Sequence, residues 1–147
     1  MAVKAVPEGF HTVTPLLVVK GGAKLIDFLK NAFGGEETVR MPLPNGEIMH
    51  AEVKIGNSIV MLNDTMGQPT TATSLFVYVN DADSVYRQAL KAGATSVSEP
   101  ADMFWGDRVA QVKDQFGNQW WIATHKEDVS AQEMQKRAEE AMKQQHH

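Results

Sequence analysis

The period of the hydrophobic positions changes repeatedly along the chain, and the changes come in the same order twice. Thr12 to Val19 is a β-branched and apolar run that reads as a strand, and Ala23 to Phe33 sets Leu25, Ile26, Leu29, Ala32 and Phe33 at helical spacing. Gly34-Gly35 follows, where glycine can take the left-handed conformation that closes a helix. Ile48 to Ile55 and Ser58 to Leu62 are strand-like runs on either side of Gly56-Asn57, which is two-residue hairpin chemistry. The second series starts with the strand Ser74 to Val79. A helix from Ala82 to Ala92 follows, capped by Asp81, carrying Val85, Ala89 and Leu90, and ending at Gly93. A second strand pair then surrounds the longer turn Asp114 to Asn118.

The two hairpins also share letters. Ala51-Glu52-Val53-Lys54 with Gly56-Asn57 recurs about 60 residues later as Ala110-Gln111-Val112-Lys113 with Gly117-Asn118. The shared tetrapeptide is short, so two unrelated α/β segments with similar turns stay open as the alternative. The reading adopted is an α+β fold of two β-α-β-β-β modules, about 9–65 and about 74–125, within one domain covering 1–147. Met66 to Thr73, with its glycine, proline and three threonines, is the expected boundary loop. A C-terminal helix is expected over about 130–144: Ser130 and Glu133 form a capping box, and Met134, Ala138, Ala141 and Met142 mark one apolar side. That side either packs on its own domain or clasps a second copy. The closing His146-His147 is given no functional weight.

Composition narrows the class. The absence of cysteine removes disulfides, thiol nucleophiles and thiolate metal sites, leaving only His, Asp and Glu as metal ligands. A net charge of −4 gives no general attraction to nucleic acid or anionic lipid. No apolar run approaches a bilayer-spanning length, and Met1 to Phe10 lacks the continuous apolar stretch of a signal peptide, so a cytoplasmic protein is expected. No phosphate loop, dinucleotide fingerprint or serine nucleophile motif is present, because Gly21-Gly22 and Gly34-Gly35 lack the required spacing.

Several stretches together resemble the PhnB-like branch of the vicinal oxygen chelate superfamily, which includes glyoxalases, bleomycin-resistance proteins and dioxygenases. They are Pro7 to Pro15, Met49-His50-Ala51-Glu52-Val53, Phe104-Trp105-Gly106-Asp107-Arg108, Asp114 to Trp120, and Ala123-Thr124-His125 with Glu127 to Ser130. The resemblance implies a partly open barrel built by the two modules around a ligand cavity, and a homodimer.

In metal-using members, each module supplies one ligand near the start of its first strand and a Glu on its last. Carried over by distance to each helix, the first-strand positions are Thr14 and Ser74, and the Gly-Asn turns put the last-strand positions at Val60 and Trp121. None has the imidazole or carboxylate that a divalent ion requires, so no metal and no other cofactor is expected there. A displaced site drawn from His11, His50, Glu52 and His125 is the alternative. If Gly56-Asn57 is a two-residue turn, Val53 pairs with Val60 and Ala51 with Leu62. His50 and Glu52 would then lie on the face opposite Val60, away from the cavity.

The remaining cavity candidates are aromatic and basic: Phe104, Trp105, Arg108 and Trp121. Aromatic faces stack on flat or cationic ligands, and Arg pairs with carboxylate or phosphate. Packing competes with this reading, because Trp120 and Trp121 are neighbours on one strand and one of them must face the core. Arg108 could equally pair with Asp107 or Asp114, and Phe104-Trp105 could act as a lid. Met41, Met49, Met61, Met66 and Met103 could soften a cavity, although methionine is more often core filler, and they are left unassigned. The expected function is small-molecule binding of the bleomycin-resistance type, sequestering a toxic or antibiotic ligand. The alternatives are a metal-dependent lyase, isomerase or dioxygenase with displaced ligands, and metal-free acid/base catalysis by His50 with Glu52.

Overall fold

The computed structural model describes residues 3–145, so His146-His147 lies outside the described residues. Module 1 runs β1 (Leu16–Val19), α1 (Gly22–Phe33), β2 (Glu36–Pro42), β3 (Ile48–Ile55) and β4 (Ser58–Asp64). Module 2 repeats the order with β5 (Ser74–Tyr78), α2 (Ala82–Lys91), β6 (Thr95–Asp102), β7 (Asp107–Lys113) and β8 (Gln119–His125), and α3 (Ala131–Gln145) closes the described chain. Each module forms one mixed four-stranded sheet, ordered β1-β4-β3-β2 and β5-β8-β7-β6. The two sheets share no strand pairing, so there is no closed barrel.

The Gly56-Asn57 turn sets the register of the first hairpin as its length requires: Val53 lies across from Val60 and Ala51 across from Leu62. The parallel strands β1 and β5 add to the outer side of β4 and β8. β1 starts at Leu16 rather than Thr12, because Pro15 intervenes and the Thr14 hydroxyl turns back to donate to the His11 carbonyl at 3.0 Å.

The helix starts are held by different devices. Asp81 caps α2 by accepting from Ser84 N at 3.2 Å. α1 has Gly21 at its cap and no side chain there, so Asp64 at the end of β4 does the work from a distance. Its carboxylate accepts from Gly21 N at 2.7 Å, Gly22 N at 3.0 Å and Ile48 N at 2.6 Å. Burial opposes its charge, and the three backbone donors outweigh that, holding the Asp64 carboxyl below its usual range. At the other end of α1, Gly34 takes the left-handed conformation expected of it, with φ 67°.

One apolar core joins the modules. The helices pack against each other and each covers one face of its own sheet. Leu25, Ile26 and Leu29 of α1 meet Ala51, Val53, Val60 and Leu62, while Ala110, Val112, Trp120 and Ile122 of module 2 close the same cluster. Trp120 ties the halves together: its ring is 4.9 Å from that of Phe33 and 6.3 Å from that of Phe28, both on α1. Burying an aromatic of this size is among the largest single stabilising terms in a domain.

α3 contributes no residue to that core. The Ser130 hydroxyl accepts from Glu133 N at 3.1 Å, as the sequence predicts for a cap. Arg137 donates to Glu127 at 2.6 Å, to Glu133 at 3.2 Å and to the Phe104 carbonyl at 3.3 Å. The helix therefore leans on its own chain through polar bonds, and Met142 stays exposed. Among the described residues no helix is long and apolar enough to cross a membrane.

Candidate functional site

With α1 and α2 on one side of each sheet, the side chains open to a ligand are those on the other side. In module 2 the strand alternation puts Phe76, Tyr78, Trp121 and His125 there, with Ala123 and Asp107 on the same side but buried, and turns Leu75, Val77, Trp120 and Ile122 toward the helices. Phe76 and Tyr78 are large rings left 45% and 62% exposed. The Phe76 ring lies 5.1 Å from that of Tyr78 and stacks at 6.4 Å on that of Trp121. A contiguous aromatic surface on one face of a sheet suits a flat partner.

In module 1 the helix-free face carries Leu16, His50, Glu52 and Met61. This reverses the facing expected from sequence. The predicted pairs form, yet Val60 is buried with α1, so the face opposite Val60 is the open one. His50 and Glu52 are thus on the open side, joined Nε2 to Oε2 at 2.8 Å. Register also corrects the match between modules: Glu52 lies across from Met61 as Gln111 lies across from Trp121, so Met61 and not Val60 is the counterpart of Trp121.

Arg108 is turned the other way. Its guanidinium makes a two-pronged bond to Asp83 of α2, at 2.6 and 3.0 Å, and reaches Asp102 at 3.2 Å. Neither Asp107 nor Asp114 is its partner. Arg108 follows Asp107 on β7 and so takes the helix side of the strand, where α2 presents Asp83. These bonds hold Arg108 above its usual range, Asp83 first and then Asp102.

Asp114 is instead the buried hub of the module 2 turn. It accepts from Phe116 N at 2.8 Å, Asn118 N at 3.0 Å, the Asn118 amide at 3.1 Å and Trp120 Nε1 at 2.8 Å. Phe104 and Trp105 pack edge to face at 5.0 Å, and their loop is tied down at both residues, through Trp105 Nε1 to Asp107 at 2.9 Å and through the Phe104 carbonyl to Arg137. Of the four expected ligand contacts, Trp121 is on the open face, Trp105 at its end, Phe104 in the loop beneath α3, and Arg108 behind the sheet.

The cluster that sequence reading missed centres on Asp107, which is 2% exposed. Its carboxylate accepts from Tyr78 Oη at 2.8 Å and Trp105 Nε1 at 2.9 Å, and meets His125 Nδ1 at 2.8 Å. His125 Nε2 meets Asp128 at 2.7 Å. Continuing the second hairpin outward from its turn pairs Asp107 with His125, and that was the signal available in the sequence. Burial pushes the Asp107 carboxyl up, but hydrogen bonds from His125, Tyr78 and Trp105 outweigh it and hold the group low. The Asp128 bond first, then Asp107, raises His125. The bond to Asp107 raises Tyr78.

A metal does not fit the expected positions. Thr14 and Ser74 offer only hydroxyls, the Thr14 hydroxyl is already donating to a carbonyl, and the open last-strand positions are Met61 and Trp121. The displaced set does not converge either. His11 donates to the Asn57 carbonyl at 2.9 Å, His50 pairs with Glu52, and His125 sits on the other sheet between two aspartates. Among the described residues no three His, Asp or Glu side chains are placed to share an ion.

An uncharacterised protein of Mycobacterium tuberculosis is 38% identical over 135 residues, covering 84% of this chain and 79% of its own. The crystal structure of TioX from Micromonospora sp. ML1 is similar with a TM-score of 0.66 at 28% identity, over 77% of this chain and 98% of that one. The PhnB protein of Bacillus cereus shares the fold with a TM-score of 0.64 at 16% identity, over 78% of this chain and 99% of its own. The family model described as Glyoxalase/Bleomycin resistance protein/Dioxygenase superfamily matches residues 9–122, and the chain belongs to that superfamily.

Proposed function

We propose that this protein is a small-molecule binder of the bleomycin-resistance type, taking its ligand on the helix-free face of module 2 and sequestering it unchanged. The observation that carries the reading is the aromatic set of exposed Phe76 and Tyr78 with half-buried Trp121. Three rings, with Phe76 between the other two, offer area and stacking without any group that must change during a reaction. The PhnB-like branch is part of this reading, supported by the motif stretches in the sequence. A homodimer is the other part: Leu16 and Phe76 are apolar side chains left open on the helix-free faces, and a second copy would cover them while walling the site.

Tryptophan fluorescence during titration with a panel of planar antibiotics and metabolites tests this. Saturable quenching that Trp121→Ala abolishes, with the ligand recovered intact, supports the proposal; conversion of the ligand to product sinks it. A second reading, metal-free acid/base catalysis, is supported by the His50–Glu52 hydrogen bond on the helix-free face of module 1 and requires a ligand to be held within reach of that pair. Under that reading His50→Gln removes turnover and leaves ligand binding.

A further inference from the structure

We propose that His125 anchors a ligand carboxylate, so that the molecule taken by the aromatic face is a planar carboxylic acid; this rests on the aromatic-face reading above and names the ligand class for it. Asp107 fixes the imidazole. Its buried carboxylate holds Nδ1 at 2.8 Å and is itself braced by Tyr78 and Trp105, which leaves the ring few orientations and aims Nε2 outward. The His125 side chain is 50% exposed, so the ring lies at the surface.

The chain already places a carboxylate on it. Asp128 lies 2.7 Å from Nε2, yet its side chain is fully exposed. A surface ion pair of this kind is worth little, so a ligand acid that also stacks on the rings displaces Asp128 at small cost. Room for the acid exists beside the ring: a surface depression of about 370 Å³ is lined by Tyr78, Val79, Asn80, Thr124 and His125. Tyr78 lies across from Ala123, two residues before His125 on the same face. That spacing is about 7 Å along the strand, the length of one fused ring system. Phe76 and Trp121 extend the stacking surface from there.

The charges around His125 favour a single negative charge. Asp107 on β7, Tyr78 on β5 through the same carboxylate, and Lys126, Glu127 and Asp128 in the following segment are the titratable groups about it. The acidic members repel a dianion such as phosphate, whereas one carboxylate only replaces Asp128. The two aspartates raise His125 and so favour its charged form, and the incoming acid takes over the role of Asp128.

Titration of the full chain with 1-naphthoate and with the neutral 1-naphthamide, followed by tryptophan fluorescence and calorimetry, separates the two layers of the argument. At about pH 6 the acid is expected to bind about tenfold more tightly than the amide, as one hydrogen bond to a charged group allows. That advantage disappears as pH rises through the His125 titration. His125→Gln brings the acid down to the amide, and Asp128→Asn, which removes the internal competitor and leaves Asp107 in place, tightens the acid alone. Equal binding of acid and amide, or a preference that His125→Gln leaves intact, overturns the carboxylate anchor while the aromatic-face reading stands. Compared at a pH below the His125 midpoint of both proteins, an Asp128→Asn variant that binds the acid no better also overturns the anchor. Failure of both ligands overturns the aromatic face itself.

Discussion

Met61 and Trp121 hold the same place in the two modules, each on the helix-free side of its module's last strand. Met61 faces Glu52, with His50 beside it, and Trp121 faces Gln111 with Phe76 alongside. The repeat has therefore diverged where it is open: module 1 presents an acid/base pair and a thioether, and module 2 presents rings. The core positions beneath the helices stay apolar in both, with Val53, Val60 and Leu62 in module 1 and Val112, Trp120 and Ile122 in module 2.

The two adjacent tryptophans are expected to separate stability from binding. Trp120→Ala opens a cavity beside Phe28 and Phe33 and removes one of the four hydrogen bonds to the Asp114 carboxylate, with an expected loss of about 3–5 kcal/mol. Trp121→Ala removes a half-buried ring from the open face and is expected to cost about 1 kcal/mol while abolishing ligand quenching. Urea unfolding of both variants checks this, and comparable losses in the two would contradict the facing assigned to them.

Asp64→Ala removes the acceptor for three backbone N–H groups that hold the start of α1 and of β3. Each bond to a charged acceptor is worth about 1.5–3 kcal/mol, so a drop of several kcal/mol is expected. Asp81→Ala loses one capping bond at α2 and is expected to cost about 1 kcal/mol. Denaturant midpoints at unchanged slope measure the difference.

Gly106 adopts φ 102°, and its carbonyl accepts from Lys126 N at 2.8 Å and Glu127 N at 3.1 Å. A side chain there is strained and collides with the Glu127 carbonyl. Gly106→Ala is expected to loosen the 125–129 segment and speed proteolysis around α3, leaving core tryptophan emission unchanged. Limited proteolysis with mass spectrometry reads this directly.

pH acts through His125 with a definite sign. Its folded value is raised above the ordinary 6.5, so the stability it confers is complete below 6.5 and is lost as pH rises through the folded value. The α3 segment, tied on through Asp128, should exchange its amides faster above that point than below it. Histidine NMR titration locates the midpoint, and Asp128→Asn should lower it. Asp107 works in the opposite direction: its folded value is depressed, so its contribution is lost as pH falls through that value.

Local chemistry made much of this protein legible in its sequence. The turn at Gly56-Asn57 set the pairing of Val53 with Val60, because a two-residue turn leaves one register. Helical spacing marked the buried stripe of α1, and Gly34 and Ser130 marked the helix ends, since caps act within a few residues. The choice of open face was different. Val60 and Trp121 both looked available, and only the packing of α1 on the sheet showed that Val60 faces the core while His50 and Glu52 face out. The partners of Arg108 and the meeting of Asp107, Tyr78, Trp105 and His125 were likewise decided by tertiary structure. Tyr78 and Asp83 come from parts of the chain 29 and 25 residues distant from Asp107 and Arg108. No turn or period connects residues so far apart; side chains on separate elements meet only where the packing of helices on sheets places them.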